Sequence, residues 1–151
     1  MSRFLFALLA LSLLALPAFA GDAAKTADSD KTVEAPAVPE TSMDDLERKL
    51  AAGECHLYDA NNAATRDEHG VIAGATLLDS YREYDLALLP ADKASDLVFY
   101  CGSTMCTASD KAAGRAQQAG YSNVSVLREG IKGWKEAGKT AVPVAKTDKK
   151  G

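Results

Sequence analysis

The chain has 151 residues, of which 47% are hydrophobic and 25% are charged, with a formal net charge of −4. That length is sufficient for one domain with a modest hydrophobic core. The mildly acidic balance provides no electrostatic reason to expect nucleic acid or anionic lipid as a partner.

The amino terminus has the features of an export signal. Arg3 supplies a positive charge, residues 4–16 form an apolar stretch, and Ala-Phe-Ala at residues 18–20 has the pattern that signal peptidase cleaves. We therefore expect residues 1–20 to be a signal peptide and the mature protein to be secreted across the inner membrane into a periplasm. A retained membrane anchor is the alternative, but no membrane contact is expected after cleavage.

The remaining chain predicts a linker, one domain and a short tail. Residues 21–40 contain almost no large apolar side chain and predict a flexible linker, whereas residues 146–151 form a charged tail. Helical patterns are found in TSMDDLERKLAAGE, REYDLALLPAD, TASDKAAGRAQQAG and GIKGWKEAG. Strand patterns are found in CHLYDANN, HGVIAGATLLD, DLVFY and NVSVLRE. This alternation predicts an α/β domain over residues 41–145, with a mostly parallel central β-sheet flanked by helices on both sides.

Cys101 directly follows the apolar strand pattern of residues 96–100, and a short loop of small residues separates it from a helical pattern. In parallel α/β sheets, ligands bind beyond the carboxyl ends of the strands. The backbone N–H groups of such a loop and the dipole of the following helix stabilise a thiolate. Gly102 permits a tight backbone, while Ser103 and Thr104 add hydroxyl donors. The pattern predicts a nucleophilic cysteine, with a small buried core residue as the alternative.

The chain contains three cysteines, Cys55, Cys101 and Cys106. In an oxidising compartment an odd number leaves at least one thiol free, in a mixed disulfide or in an intermolecular bond. In a curled loop, Cys101 and Cys106 can approach within the ~7 Å between Cα atoms that a disulfide requires. Cys106 is then a resolving or disulfide cysteine, or alternatively a small apolar residue at the helix start. Cys55 is expected to be a buried structural thiol. Neither histidine has a partner at metal-ligand spacing, so we expect no metal and no other cofactor.

Four ordered motifs resemble the rhodanese-like sulfurtransferase family. They are LYDANN, with Asp59 in the place of the family's aspartate, GVIAGATLL, VFYCGSTMCTAS and AGYSNVSVLREGIKGW. The resemblance implies a rhodanese-like fold and makes Cys101 the catalytic residue. It also implies that the loop after Cys101 binds the substrate. That loop consists of Gly102, Ser103, Thr104, Met105, Cys106 and Thr107.

The resemblance implies a sulfurtransferase or sulfane-sulfur carrier. The Cys101 thiolate would take sulfur from a small donor (thiosulfate, a persulfide or a polysulfide) and become a persulfide. A thiol acceptor or a partner protein would then remove the sulfur. Two alternatives remain: a periplasmic thiol–disulfide redox protein that uses Cys101 and Cys106, and a non-catalytic binding module on the same fold. We expect a monomer.

The loop sequence has no lysine or arginine between Cys101 and Thr107. This argues against the related phosphatases, whose C-x5-R motif supplies a guanidinium to the phosphoryl transition state. The lack of a loop cation also argues against thiosulfate as the donor.

Overall fold

The computed structural model describes residues 37–144. The predicted signal peptide, most of the predicted linker and the charged tail lie outside the described residues. Between residues 37 and 144, no helix is both long and apolar enough to cross a membrane.

Helices and strands alternate along the described chain. The helices are α1 (Met43–Ala52), α2 (Ala63–His69), α3 (Ala108–Gln118) and α4 (Gly130–Glu136), with one 3-10 turn at Leu86–Leu88. The strands are β1 (His56–Asp59), β2 (Val71–Ile72), β3 (Thr76–Leu77), β4 (Asp96–Tyr100), β5 (Asn123–Leu127) and β6 (Ala141–Val142).

The central sheet has the strand order β3-β1-β4-β5, and all its strand pairs are parallel. The strands β2 and β6 form a separate antiparallel pair. Beside β5, Val126 N donates to Pro39 O and Thr41 N donates to Val126 O, both at 2.9 Å. Part of the stretch that the sequence assigns to the linker therefore lies along the edge of the sheet.

Both faces of the sheet are buried, because alternate residues of β4 belong to different hydrophobic clusters. Leu97 and Phe99 pack on the face covered by α3. Val98 and Tyr100 pack on the face covered by α1 and α4. This is the arrangement expected of a parallel sheet between two helical layers, and it confirms the predicted α/β fold.

Several elements differ from the sequence prediction, among them β6, which lies where the sequence predicts no strand. The helix α2 was not predicted, because none of its residues is buried and it lacks an apolar stripe. Its start is nevertheless capped, since Asn62 Oδ1 accepts a hydrogen bond from Thr65 N at 2.9 Å. The helix predicted within residues 82–92 is only a 3-10 turn. Asp85 Oδ1 accepts from Ala87 N, while Tyr84 turns inward and donates to Ala112 O at 2.8 Å.

Candidate functional site

Cys101 occupies the centre of the sheet's carboxyl edge. It follows β4, which lies between β1 and β5, and its side chain is 1% exposed. The chain then curls back before α3, since Cys106 N donates to Ser103 O at 2.9 Å. This placement at the end of an inner strand is the one predicted from the sequence.

The curled loop brings Cys101 and Cys106 together. Their Cα atoms are 6.3 Å apart, and their sulfur atoms form a disulfide. Cys106 precedes α3 by two residues and is partly buried against the α3 cluster. The catalytic roles assigned to both cysteines stay predictions.

Ser109, in the first turn of α3, lies beside the Cys101 sulfur. Its Oγ is 3.3 Å from Cys101 Sγ, and Cys106 O is also 3.3 Å from that sulfur. The Ser109 side chain is fully buried. When Cys101 is reduced, this hydroxyl can donate a hydrogen bond to its thiolate. The sequence analysis missed Ser109, although its place in the first turn after the loop was a usable signal.

The amino end of α4 packs against the loop and donates two hydrogen bonds to it. Ile131 N donates to Cys101 O at 2.9 Å, and Lys132 N donates to Gly102 O at 3.1 Å. Gly130 has a φ of 63°, and a Cβ there would lie 2.8 Å from Gly102 C. The close approach of the two backbones therefore requires glycine at position 130.

Several backbone donors of the loop are left without a partner. The N–H groups of residues 102–105 donate to no backbone carbonyl within residues 37–144. Consecutive free N–H groups in a curled loop form a site for an anion. That the loop holds a negatively charged sulfur stays a prediction.

A cavity of about 420 Å³ opens beside the loop. Its walls come from the loop, from the segment that joins β1 to α2, and from α4. Of the predicted site residues, Gly102, Ser103, Cys106 and Thr107 line it. Three predicted site residues lie outside the lining: Cys101, Thr104 and Met105. Met105 is 89% exposed at the tip of the loop.

Lys132 brings a positive charge to this cavity from α4. It forms no salt bridge with any residue between 37 and 144. The loop itself has no cation, as the sequence indicates. His69 and Glu68 also line the cavity, with His69 Nε2 3.5 Å from Glu68 Oε1.

Asp59 is fully buried, and its hydrogen bonds fix residues next to the cavity. Asp59 Oδ1 accepts from Asn61 N at 2.6 Å, and Asp59 Oδ2 accepts from Tyr100 Oη at 2.7 Å. Burial raises the pKa of Tyr100, and the negative charge of Asp59 adds to that increase. Asp59 thus fixes the turn after β1 and so positions Asn61 in the cavity wall.

Cys55 lies away from the cysteine pair. It precedes β1, whereas Cys101 follows β4, and these two strands run parallel. Cys55 is half-buried against the cluster under α1 and remains a free thiol. Burial raises its pKa, and the nearby carboxylate of Asp96 raises it further. Within residues 37–144, no three His, Cys, Asp or Glu side chains are grouped to hold a metal.

The family model described as Rhodanese-like domain matches residues 42–137. The chain therefore belongs to the rhodanese-like domain family, as its motifs predict.

Solved structures show the same fold. The BH2092 protein from Bacillus halodurans is 21% identical with a TM-score of 0.60, over 70% of this chain and 77% of that chain. A human single-domain sulfurtransferase is 22% identical with a TM-score of 0.53, over 66% of this chain and 96% of that chain. A thiosulfate sulfurtransferase from Pseudomonas aeruginosa is 23% identical with a TM-score of 0.56, over 72% of this chain and 21% of that chain. These identities establish the shared fold alone. A search of curated protein sequences gives no match.

Proposed function

We propose that this protein is a sulfurtransferase or sulfane-sulfur carrier that works through a persulfide on Cys101. One observation carries the proposal. The Cys101 sulfur lies beside the Ser109 hydroxyl, at the start of a loop whose N–H groups at residues 102–105 have no backbone acceptor within residues 37–144. Burying a persulfide anion in an apolar core is costly, whereas hydrogen-bond donors around it stabilise its charge.

The reaction starts from the reduced protein. The Cys101 thiolate attacks the outer sulfur of the donor, forms a new S–S bond and releases the remainder of the donor with the electron pair. With thiosulfate, the released group is sulfite and the product is the Cys101 persulfide. A thiolate acceptor then attacks the outer sulfur, leaves as a persulfide itself and restores the Cys101 thiolate.

Lys132 supplies the cavity with a positive charge that the loop sequence lacks, and this favours an anionic donor. The volume of about 420 Å³ lies in the range of small-molecule sites. Lys132 lies in the cavity wall and has no salt-bridge partner among residues 37–144. An anionic donor such as thiosulfate gains attraction from this lysine as it enters. The donor class that best fits the cavity is therefore small and negatively charged.

The disulfide supports a second candidate, a thiol–disulfide redox protein that uses Cys101 and Cys106. Sulfur transfer and redox chemistry can also be consecutive steps of one reaction. The Cys106 thiolate attacks Cys101 Sγ of the persulfide, the Cys101–Cys106 bond forms, and sulfide leaves. Each turnover of this kind consumes two thiols, so an external thiol must reduce the protein again.

We propose that the protein works in the periplasm as a monomer. The signal pattern of residues 1–20 and a disulfide in the domain both fit an oxidising compartment. Secretion of a fusion reporter tests this assignment, since a reporter that remained in the cytoplasm would contradict it.

The test of function is sulfur transfer from thiosulfate to cyanide by the reduced mature protein, measured as the thiocyanate formed. Cys101→Ser is expected to abolish the transfer, whereas Cys106→Ser is expected to preserve it. If Cys106→Ser also abolished the transfer while Cys55→Ser did not, the redox function would be favoured. If Cys101→Ser retained full activity, the sulfur-transfer proposal would be wrong.

A further inference from the structure

The two halves of the disulfide differ in their access to solvent. Cys101 is 1% exposed and does not line the cavity. Cys106 is partly exposed and contributes to the cavity wall. A thiol that enters the cavity therefore meets Cys106 before it meets Cys101.

The two sulfurs also differ as leaving groups. Thiol–disulfide exchange is faster when the departing thiolate is better stabilised. Cys101 Sγ has Ser109 Oγ and the carbonyl oxygen of Cys106 each at 3.3 Å. The loop beside it carries the N–H groups of residues 102–105, which donate to no backbone carbonyl within residues 37–144. The one N–H of Cys106 is already used, because it donates to Ser103 O. Departure of Cys101 as a thiolate is therefore favoured over departure of Cys106.

We propose that the cavity receives a small thiol, and that this thiol opens the disulfide by attacking Cys106. Its thiolate forms a bond to Cys106 Sγ, the Cys101–Cys106 bond breaks, and Cys101 leaves with the electron pair. The product is a mixed disulfide on Cys106 and a thiolate on Cys101. A second thiol molecule then attacks the sulfur of the first, which frees Cys106 and gives the oxidised thiol. Two thiols are oxidised and one protein disulfide is reduced.

Cys106 is thus the residue that the reductant attacks first. This role does not depend on sulfur transfer, since it holds for any function that needs Cys101 reduced. This direction of attack suits the proposed sulfur transfer, because the first step already releases Cys101 as a thiolate within its loop. A failure of the thiocyanate test therefore leaves this inference intact, and the reverse is also true.

The direct test locates the mixed disulfide. The oxidised mature protein carrying Cys55→Ser is mixed briefly with limiting reduced glutathione and quenched with excess N-ethylmaleimide near neutral pH. Cleavage after Lys93 and Lys111 leaves both cysteines on one peptide, and fragmentation within residues 102–105 separates them. We expect glutathione on Cys106 and maleimide on Cys101. Glutathione on Cys101, with maleimide on Cys106, would overturn the proposal.

A second measurement tests whether Cys101 is the leaving thiolate, by the rate of disulfide reduction. Ser109→Ala is expected to slow reduction of the disulfide by glutathione about tenfold, because the departing Cys101 thiolate loses a hydrogen bond. Ser125→Ala is the matched control. It also removes a buried hydroxyl, but from β5 and without contact to either cysteine sulfur. An unchanged rate in Ser109→Ala, with both variants folded by circular dichroism, would show that Cys101 is not the leaving group.

Discussion

Gly130 lies directly against the carbonyl group of Cys101, and no side chain fits between them. The contact places the amino end of α4 under the loop, where Ile131 N donates to Cys101 O. The shape of the loop at Cys101 therefore depends on a residue that follows the next strand.

Replacement of Gly130 by alanine tests this contact. Gly130→Ala introduces a Cβ at a positive φ and against the loop backbone, so we expect a loss of about 1–3 kcal/mol in the free energy of unfolding. We also expect most of the sulfur-transfer activity to be lost, because the N–H groups of the loop are displaced. Urea unfolding and thiocyanate formation measure the two effects.

Gly114→Ala is the matched control. A Cβ at Gly114, within α3, meets no atom within 4 Å. This change should leave activity unaltered and stabilise the helix by about 0.5–1 kcal/mol. If Gly130→Ala behaved in the same way as Gly114→Ala, the account of the loop's support would be wrong.

Lys132→Gln tests the charge in the cavity wall. Loss of an exposed cation should lower kcat/KM for thiosulfate about two- to fivefold, since such interactions contribute up to about 1 kcal/mol. The effect should be carried by KM, should shrink as salt is added, and should be absent with a neutral organic trisulfide. Lys135→Gln, on the same helix but outside this cavity, is the control. Equal effects of both variants would contradict a specific role for Lys132.

Tyr100→Phe tests the buried hydrogen bond between Tyr100 and Asp59. The hydroxyl donates to Asp59 Oδ2 and accepts from Ile72 N at 3.0 Å. Its removal leaves a carboxylate oxygen of a fully buried residue without this partner, so we expect a destabilisation of about 1–3 kcal/mol in urea unfolding. Tyr81→Phe, at a partly exposed residue, should change stability by less than about 0.5 kcal/mol. An equally small effect in Tyr100→Phe would mean that the network does not support the fold.

The reactivity of Cys55 should depend on pH in a defined direction. Burial and Asp96 raise its pKa above the ordinary value of 9.0, so the folded protein has less thiolate at a given pH. In the Cys101→Ser/Cys106→Ser variant, iodoacetamide should alkylate Cys55 more slowly in the native protein than in urea. The pH profile of the native rate should lie at higher pH. Coincident profiles would contradict the predicted shift.

Local sequence patterns were sufficient to predict much of the fold and the position of Cys101 in it. The apolar run of residues 96–100 is typical of an inner parallel strand, and a residue after such a strand reaches the carboxyl edge of the sheet. The helices α1, α3 and α4 were also recognisable, because each buries an apolar face.

The remaining features depend on contacts between distant segments. Lys132 enters the cavity only because α4 packs beneath the loop, and no pattern near Cys101 contains that information. The helix α2 buries none of its residues, so its sequence has no apolar period to detect. The sequence left two roles open for Cys106, and its pairing with Cys101 depends on the curl of the loop, which no local pattern specifies.

The central claim is that Cys101 carries a persulfide, and the most direct test is the intact mass of the mature protein. The protein is reduced, freed of reductant, exposed to thiosulfate or a polysulfide, and measured at once. Our account predicts a gain of one sulfur atom that disappears in Cys101→Ala and persists in Cys106→Ser. No gain of sulfur in the reduced protein, together with a reversible Cys101–Cys106 disulfide, would contradict sulfur transfer and leave thiol–disulfide exchange as the function.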